Sequence, residues 1–186
     1  MTQAWPKIVW TEAGQVFECI GGAIEPDGDP DELDLAPSVY FKNMFAAGKH
    51  RDAVFFVSHA LPRYECVVWA AQTLLAADAV DRTSPLVVSV LRWIDDPCED
   101  LRRTVEELVN QETVTSPEYM LAKAAFTSGG SISLPDGAPV LAPPDACAKY
   151  AAAAVLDAAS FSGDPAQFLR QAAETGDALA SQAVQH

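Results

Sequence analysis

The sequence predicts an all-α fold, a single-domain bundle of about seven to eight helices with a small β-hairpin or ordered loop at 128–143. Two observations support this prediction. Prolines that follow a capping residue precede segments whose apolar residues recur at helical spacing. The chain has 186 residues and is 49% apolar, so one globular unit can bury its own core without disulfides or a structural metal.

Four prolines sit directly after a residue whose side-chain oxygen can accept hydrogen bonds from a first helical turn. Proline suits that position because its missing N–H would be unpaired there and its fixed φ matches the helix. Two of the four sites also resemble a capping box. The predicted starts are Ser84-Pro85, Asp96-Pro97, Ser116-Pro117 and Asp164-Pro165, with weaker starts at Pro37, Pro62 and Pro144.

The apolar patterns between these starts predict the elements in order. The N-terminal ones are a short strand at 8–10 and helices at 11–20, 37–48 and 53–60. The next helix, 62–77, is apolar around nearly its whole circumference, so we expect it at the centre of the fold. The remaining helices are predicted at 85–95, 97–111, 117–126, 144–160 and 165–184, the last two rich in alanine and therefore able to approach neighbours closely.

Residues 128–143, which we call the arm, break the helical pattern. Ile132 and Leu134 alternate with serine before a turn at Pro135-Asp136-Gly137. Alternation before such a turn is typical of a hairpin or an ordered loop. Loops of this length are uncommon in compact domains and often have a function.

The charge is strongly negative, with 26 acidic and 12 basic side chains and a formal net charge of -14. Such a field repels phosphate backbones and anionic headgroups, so we expect neither nucleic acid nor a membrane surface as partner. Half of the net charge lies in residues 1–34. We therefore divide the chain into an N-terminal segment with an acidic Pro/Gly-rich linker, 1–34, and a helical domain, 35–186.

Compartment follows from the patterns at the start of the chain and from its cysteines. The N-terminus shows no basic stretch followed by an apolar core, which an export signal requires. The four cysteines are scattered singly, as expected for reduced thiols packed as small apolar side chains. We expect a cytoplasmic protein.

The acidic linker contains a partial calcium-loop pattern. Asp27, Asp29 and Asp31 alternate as the first ligands of such a loop do. The pattern then fails, because Glu32 and Ser38 stand where the loop requires glycine and a bidentate glutamate. A solvated linker is therefore favoured over a calcium site, and docking to a basic protein is a further alternative. We predict no cofactor.

A second group of candidates surrounds the start of the central helix: His59, Arg63, Glu65, Trp69 and Gln72. The last three lie at offsets of four and seven, so they share one side of the helix. Burial beside an indole would disfavour the charged form of Glu65 unless an arginine paired with it. The group is therefore either a pocket with a tuned acid or a structural ion pair. His59 ends the preceding helix, where the helix dipole favours its protonated form and a capping role.

Catalytic motifs are missing from the sequence. It has no nucleophile elbow, no phosphate-binding glycine loop, no HExxH and no di-iron pair. Cys66 lies on the predicted buried helix, where apolar surroundings raise a thiol pKa and make the sulfur inert. We therefore assign no catalytic residue, and binding is favoured over catalysis.

One stretch resembles a known family. The residues from Ala60 to Ala70, ALPRYECVVWA, are similar to an uncharacterised family of small bacterial proteins with an LPRxExVxWA core. The resemblance implies an accessory role beside type VI secretion components, and it carries over no catalytic residue.

The leading hypothesis is a non-catalytic protein-binding module, such as an adaptor or chaperone of a bacterial secretion or assembly system. It would bind another, basic, protein through its acidic surface and the arm. Two alternatives stay open. One is a small-molecule-binding protein or enzyme with a pocket around Glu65, Trp69 and Gln72, and the other is a structural subunit that forms a homodimer through its C-terminal helices.

Overall fold

The computed structural model describes residues 5–26, 29–134 and 136–183, and it confirms the all-α prediction. These residues form nine α-helices, which is more than the seven to eight estimated for the bundle but equals the number of helical segments predicted one by one. They also form one 3-10 helix at Pro30–Asp34 and no strand. The helices are α1 Ala13–Ile20, α2 Pro37–Ala46, α3 His50–Ala60, α4 Arg63–Ala76, α5 Pro85–Asp95, α6 Glu99–Val109, α7 Pro117–Thr127, α8 Ala146–Phe161 and α9 Pro165–Ala180.

Proline marks the helix starts as predicted at most sites. It occupies the first turn of α2, α5, α7 and α9. Ser116 accepts a hydrogen bond from the Tyr119 N–H at 3.2 Å, and Asp164 accepts one from the Gln167 N–H at 3.0 Å. Both are caps of the predicted kind.

The start predicted at Asp96-Pro97 is wrong by two residues. Helix α6 begins at Glu99, and Cys98 is its N-cap. The reason is the tight turn that ends α5, in which the Cys98 N–H donates to the Asp96 carbonyl at 2.8 Å. That turn uses Asp96 as the end of α5, so it cannot also cap α6.

Helix α4 lies at the centre of the bundle, as its apolar circumference predicts, and contacts α5, α7, α8 and α9. Its Trp69 is fully buried, and the indole Nε1 donates to the Ala172 carbonyl of α9 at 2.9 Å. Gly176 permits this close approach, because a Cβ there would lie 2.7 Å from a Val57 methyl and 3.2 Å from Trp69 Nε1.

The alanine-rich helices pack inside the chain. Helix α8 packs most extensively against α7, and also against α3, α4 and α9. Its buried residues are mainly alanines, which let the helix axes approach one another: Ala151, Ala152, Ala154, Ala158 and Ala159. Dimerisation through α8 and α9 stays a prediction.

The N-terminal residues pack on the same core. The ring of Phe17 in α1 lies 5.4 Å from the rings of both Tyr40 and Phe56. Trp5 Nε1 donates to the Asp177 carboxylate of α9 at 2.6 Å. The strand expected at 8–10 does not form, and those residues run as irregular chain.

The arm is an ordered loop. In its described residues, one antiparallel bridge joins Ser131 to Leu141, and the Ile132 N–H donates to the Val140 carbonyl at 2.7 Å. Of the two predicted alternatives, a β-hairpin and an ordered loop, the structure shows the ordered loop.

Within the described ranges, every helix is too short or too polar to cross a bilayer.

Candidate functional site

Two neighbouring arginines of α6 fasten the arm to the helical body. Arg102 donates to the Ser131 carbonyl at 2.8 Å and to the Phe126 carbonyl, at the end of α7, at 2.7 Å. Arg103 donates to the Ser133 carbonyl at 2.9 Å. The first residues of the arm are therefore held at two consecutive points along α6.

Arg102 can be buried because its charge is paired. Its side chain is 3% exposed, and the Glu99 carboxylate accepts from it at 2.6 Å and 2.7 Å. The guanidinium carbon lies 4.9 Å from the centre of the Phe126 ring. The hydrogen bond from Arg102 lowers the pKa of Glu99, so the carboxylate stays ionised at neutral pH.

Gly130 lets the arm pass directly over this ion pair. Its φ is +62°, in the left-handed region that favours glycine. A Cβ at this position would lie 2.7 Å from Arg102 Nη2 and 2.8 Å from Glu99 Oε2. A larger residue there would both strain the backbone and displace the guanidinium.

Ser131 closes the arm on itself. Its hydroxyl oxygen accepts from the Val140 N–H at 3.0 Å and from the Ser133 N–H at 3.2 Å. The hydroxyls of Ser131 and Ser133 also share a hydrogen bond of 2.8 Å. One serine thus ties the two sides of the arm together.

The anchored arm leaves its large apolar side chains in solvent. Leu134 is 77% exposed, Leu141 76% and Val140 51%. Three large apolar side chains exposed on one short segment indicate a candidate binding surface. Asp136 on the arm and Asp100 and Glu107 on α6, the helix that holds the arm, are exposed as well.

Comparison with known proteins identifies the family of the chain. A model described as a family of unknown function (DUF6931) matches residues 40–180. The chain belongs to this family. The matched range contains the arm, both arginines of α6 and the central helix α4. No curated protein and no solved structure matches the chain.

The candidates predicted around α4 are divided between two environments. Trp69 is buried against α9, Glu65 is half-buried and Gln72 is exposed. His59 and Arg63 instead line one cavity next to the N-terminus of α8, and the other three residues do not contribute to that cavity. The five side chains therefore do not form one site, although three of them were expected to share one side of α4.

Arg63 is directed to the loop before α8. Its Nη2 donates to the Pro144 carbonyl at 3.4 Å. Glu65 forms no salt bridge with any residue that the structure describes. The ion pair between these two residues, which we considered for the sequence, is therefore not observed.

His59 is buried rather than exposed at a helix end. The ring is 5% exposed, and its Nδ1 lies 2.8 Å from the Phe55 carbonyl one turn earlier. Burial lowers the pKa of His59, so the expectation that the helix dipole favours its charged form is wrong. The loss of hydration outweighs the hydrogen bond to the Phe55 carbonyl and the charge of Asp145, which both favour the protonated ring.

The predicted calcium residues are only partly described. Asp27 lies outside the described residues. Asp29 caps the 3-10 helix and accepts from the Asp31 N–H at 3.1 Å. In the described ranges, no group of three or more His, Cys, Asp or Glu residues could hold a metal ion.

The cysteines are free thiols, as predicted. Cys66 is fully buried, and a hydrogen bond with Cys147 together with burial raises its pKa well above the usual range. The direction agrees with the prediction of an inert sulfur, although the neighbouring thiol is the larger cause.

Proposed function

We propose that this chain is a non-catalytic protein-binding module and that the arm is its contact surface. One observation carries the proposal: the arm is held in place by buried polar groups, yet presents Leu134, Val140 and Leu141 to solvent. A segment ordered before binding loses little conformational entropy when a partner docks. Exposed apolar side chains contribute little to folding, so a partner is the natural cover for them.

The chemistry around the arm defines the partner that we propose. The contact would be an apolar patch on another protein, with basic residues around it that face the exposed carboxylates of α6 and the arm. A net charge of -14 would accelerate association with such a protein. We further propose a cytoplasmic adaptor or chaperone of a bacterial secretion or assembly system, which the resemblance at 60–70 connects to type VI secretion.

The first test replaces the apolar residues of the arm. The double variant Leu134→Ser/Leu141→Ser is compared with wild type and with Phe161→Ser, a control whose side chain is 81% exposed at the end of α8. Each tagged protein is incubated with native cytoplasm, and the captured proteins are quantified by mass spectrometry. We expect the arm variant to lose a partner that both other proteins retain.

Salt concentration provides the second part of the test. The basic residues proposed for the partner predict that about 0.5 M salt weakens capture. At that ionic strength, exposed charges more than a few ångströms apart are largely screened from one another. Equal capture by the arm variant and by wild type would overturn the proposal, and capture that salt does not change would overturn its electrostatic part.

A further inference from the structure

A pocket with a volume of about 330 Å³ lies at the base of the arm. Three helices and the arm itself line it, through Tyr64 of α4, Trp93 of α5, Glu99 of α6 and the arm residues 128–130. A partner docked on the arm would therefore lie next to this pocket. The chemistry of the lining indicates which side chain of the partner the pocket would receive.

One part of the lining is an aromatic ring that is both fixed and accessible. Tyr64 is 39% exposed. Its hydroxyl donates to the Ile94 carbonyl at 2.9 Å, and its ring lies 5.8 Å from the ring of the buried Trp93. The Tyr64 ring is therefore held in place before binding and can still be covered by a ligand.

Another part of the lining is an acidic side chain that reaches solvent. The Glu99 side chain is 54% exposed, whereas Arg102 and Arg103, which pair with it, are 3% and 19% exposed. The two cations are thus largely covered by protein, and the anion is the accessible member of the group. Hydrogen bonds from both arginines also fix the position of the carboxylate.

The surface around the pocket is acidic. Over residues 92–100 the exposed carboxylates are Asp95, Asp96, Glu99 and Asp100, against one exposed base, Arg92. An anionic ligand would be repelled by these groups. An apolar side chain would displace water from Glu99 without replacing its hydrogen bonds. The charge therefore favours a cationic side chain.

Shape distinguishes the two cationic side chains that a partner can offer. The guanidinium of arginine is planar and weakly hydrated, so one face can stack on an aromatic ring while its N–H groups bond a carboxylate. The ammonium of lysine is compact and strongly hydrated, so it makes a poorer contact with the ring. Arginine is also among the residues that most often dominate binding at protein interfaces.

We infer that this pocket receives an arginine side chain of the partner protein, which stacks on Tyr64 and pairs with Glu99. The inference rests on the protein-binding function proposed for the arm. It adds the residue by which the partner is recognised, next to the apolar contact made by Leu134, Val140 and Leu141.

Three probes test the inference on the chain alone: the N-acetyl amides of arginine, citrulline and lysine. Citrulline keeps the planar end without its charge, and lysine keeps the charge without the plane. Binding is followed by NMR titration, with the Gly129 amide and the Trp93 indole as reporters and the buried Trp69 indole as the reference. We expect the arginine probe to bind roughly threefold to tenfold more tightly than either other probe.

Substitutions of Tyr64 test the stacking contact. Tyr64→Leu removes the ring, so the preference for arginine over lysine is expected to disappear. Tyr64→Phe keeps the ring and should retain that preference. Phe161→Leu is the matched control, because it removes an exposed ring that does not line the pocket and should change nothing.

Filling the pocket supplies a test that does not depend on the tyrosine. A Cβ at Gly129 has nothing within 4 Å, so the side chain of Gly129→Leu has room to extend into the pocket and is expected to weaken binding of all three probes. Gly163→Leu has the same open space outside the pocket and should leave binding unchanged. Urea unfolding shows whether both variants remain folded.

Equal affinity of wild type for the arginine probe and for either of the other probes would overturn the inference. So would titrations in which no probe shifts the Gly129 and Trp93 signals. The capture experiment distinguishes this failure from failure of the proposed function, since it replaces Leu134 and Leu141 and uses no probe. A partner lost only by that arm variant would leave the protein-binding proposal standing without the arginine contact.

Discussion

The contact between α4 and α9 and the attachment of the arm are built in opposite ways. In the first, Trp69 of α4 fits against Gly176 of α9 beside Val57 of α3, and the hydrogen bond from the Trp69 indole to the Ala172 carbonyl joins α4 to α9. In the second, Arg102 and Arg103 hold backbone carbonyls, and the apolar side chains face outward. The helix contact buries its apolar surface within the chain. The arm keeps its apolar surface available, which is the arrangement that a binding surface requires.

The largest effect is expected in the helix contact. Trp69→Ala removes a fully buried indole, so we expect it to lower the free energy of unfolding by about 3–5 kcal/mol. Urea unfolding measures the loss. Gln72→Ala, one turn further along α4 and exposed, is the control and should change stability by less than about 0.5 kcal/mol. A loss below about 1 kcal/mol for Trp69→Ala would show that the contact is not tightly packed.

Replacing Arg102 tests the attachment of the arm to the helical body. Arg102→Met keeps an apolar stem but leaves the Phe126 and Ser131 carbonyls unpaired, so we expect a loss of about 2–4 kcal/mol. Limited proteolysis should also cut the arm faster. Arg170→Met removes an exposed arginine paired with Glu174 and should cost less than about 0.5 kcal/mol. Equal protease resistance of wild type and Arg102→Met would contradict the anchoring role.

A methyl group at the closest helix approach should have an intermediate effect. Gly176→Ala places a Cβ 2.7 Å from Val57, a stiff and fully buried side chain, so we expect a loss of about 1–3 kcal/mol. Thermal unfolding monitored by circular dichroism measures it. Gly163→Ala is matched to it, because a Cβ there has nothing within 4 Å, and it should not lower stability.

Acid should loosen the arm through Glu99. The pKa of this carboxyl is lowered in the folded protein by the hydrogen bond from Arg102, so the folded state favours the ionised form. The stabilisation is therefore present above the ordinary value of 4.5 and is lost as the pH falls through the lower folded value. The protection of the Ile132 and Val140 amides, which bond across the arm, should fall in that window when exchange is compared with the intrinsic rate at each pH. In Glu99→Gln this pH dependence should be absent, and its persistence there would assign it to another group.

The smallest effect on stability is expected at an exposed residue of the arm. Leu141→Ser replaces an exposed side chain, so the free energy of unfolding should change by less than about 0.5 kcal/mol. The same denaturation experiment measures it. A large loss would mean that Leu141 contributes to folding and would remove the reason for proposing a partner.

The elements that sequence predicts best are those set by local chemistry. The start of α9 at Pro165 follows from Asp164, which caps the helix by accepting a hydrogen bond from the N–H of Gln167, three residues further on. The central position of α4 follows from its apolar circumference. The start of α6 was misplaced because the turn that ends α5 uses Asp96. A capping pattern does not reveal that a neighbouring element already uses the same residue.

The candidate site was harder to predict because its partners are distant in sequence. Arg102 and Glu99 look like solvated residues of an amphipathic helix, but Arg102 becomes buried only when Phe126 and Ser131 supply carbonyl acceptors. The available signal was the pair of adjacent arginines followed by an unusually long non-helical segment. For His59, burial lowers the pKa in spite of the position at a helix end, and burial is a tertiary property that a local sequence pattern does not show.

The most direct test of the protein-binding proposal is hydrogen exchange of the chain alone and in complex with the protein it captures. We predict that peptides covering 129–143 gain protection on binding, while peptides of α9, which carries no part of the arm, do not change. Protection confined to other regions, with unchanged exchange in the arm, would contradict the proposal.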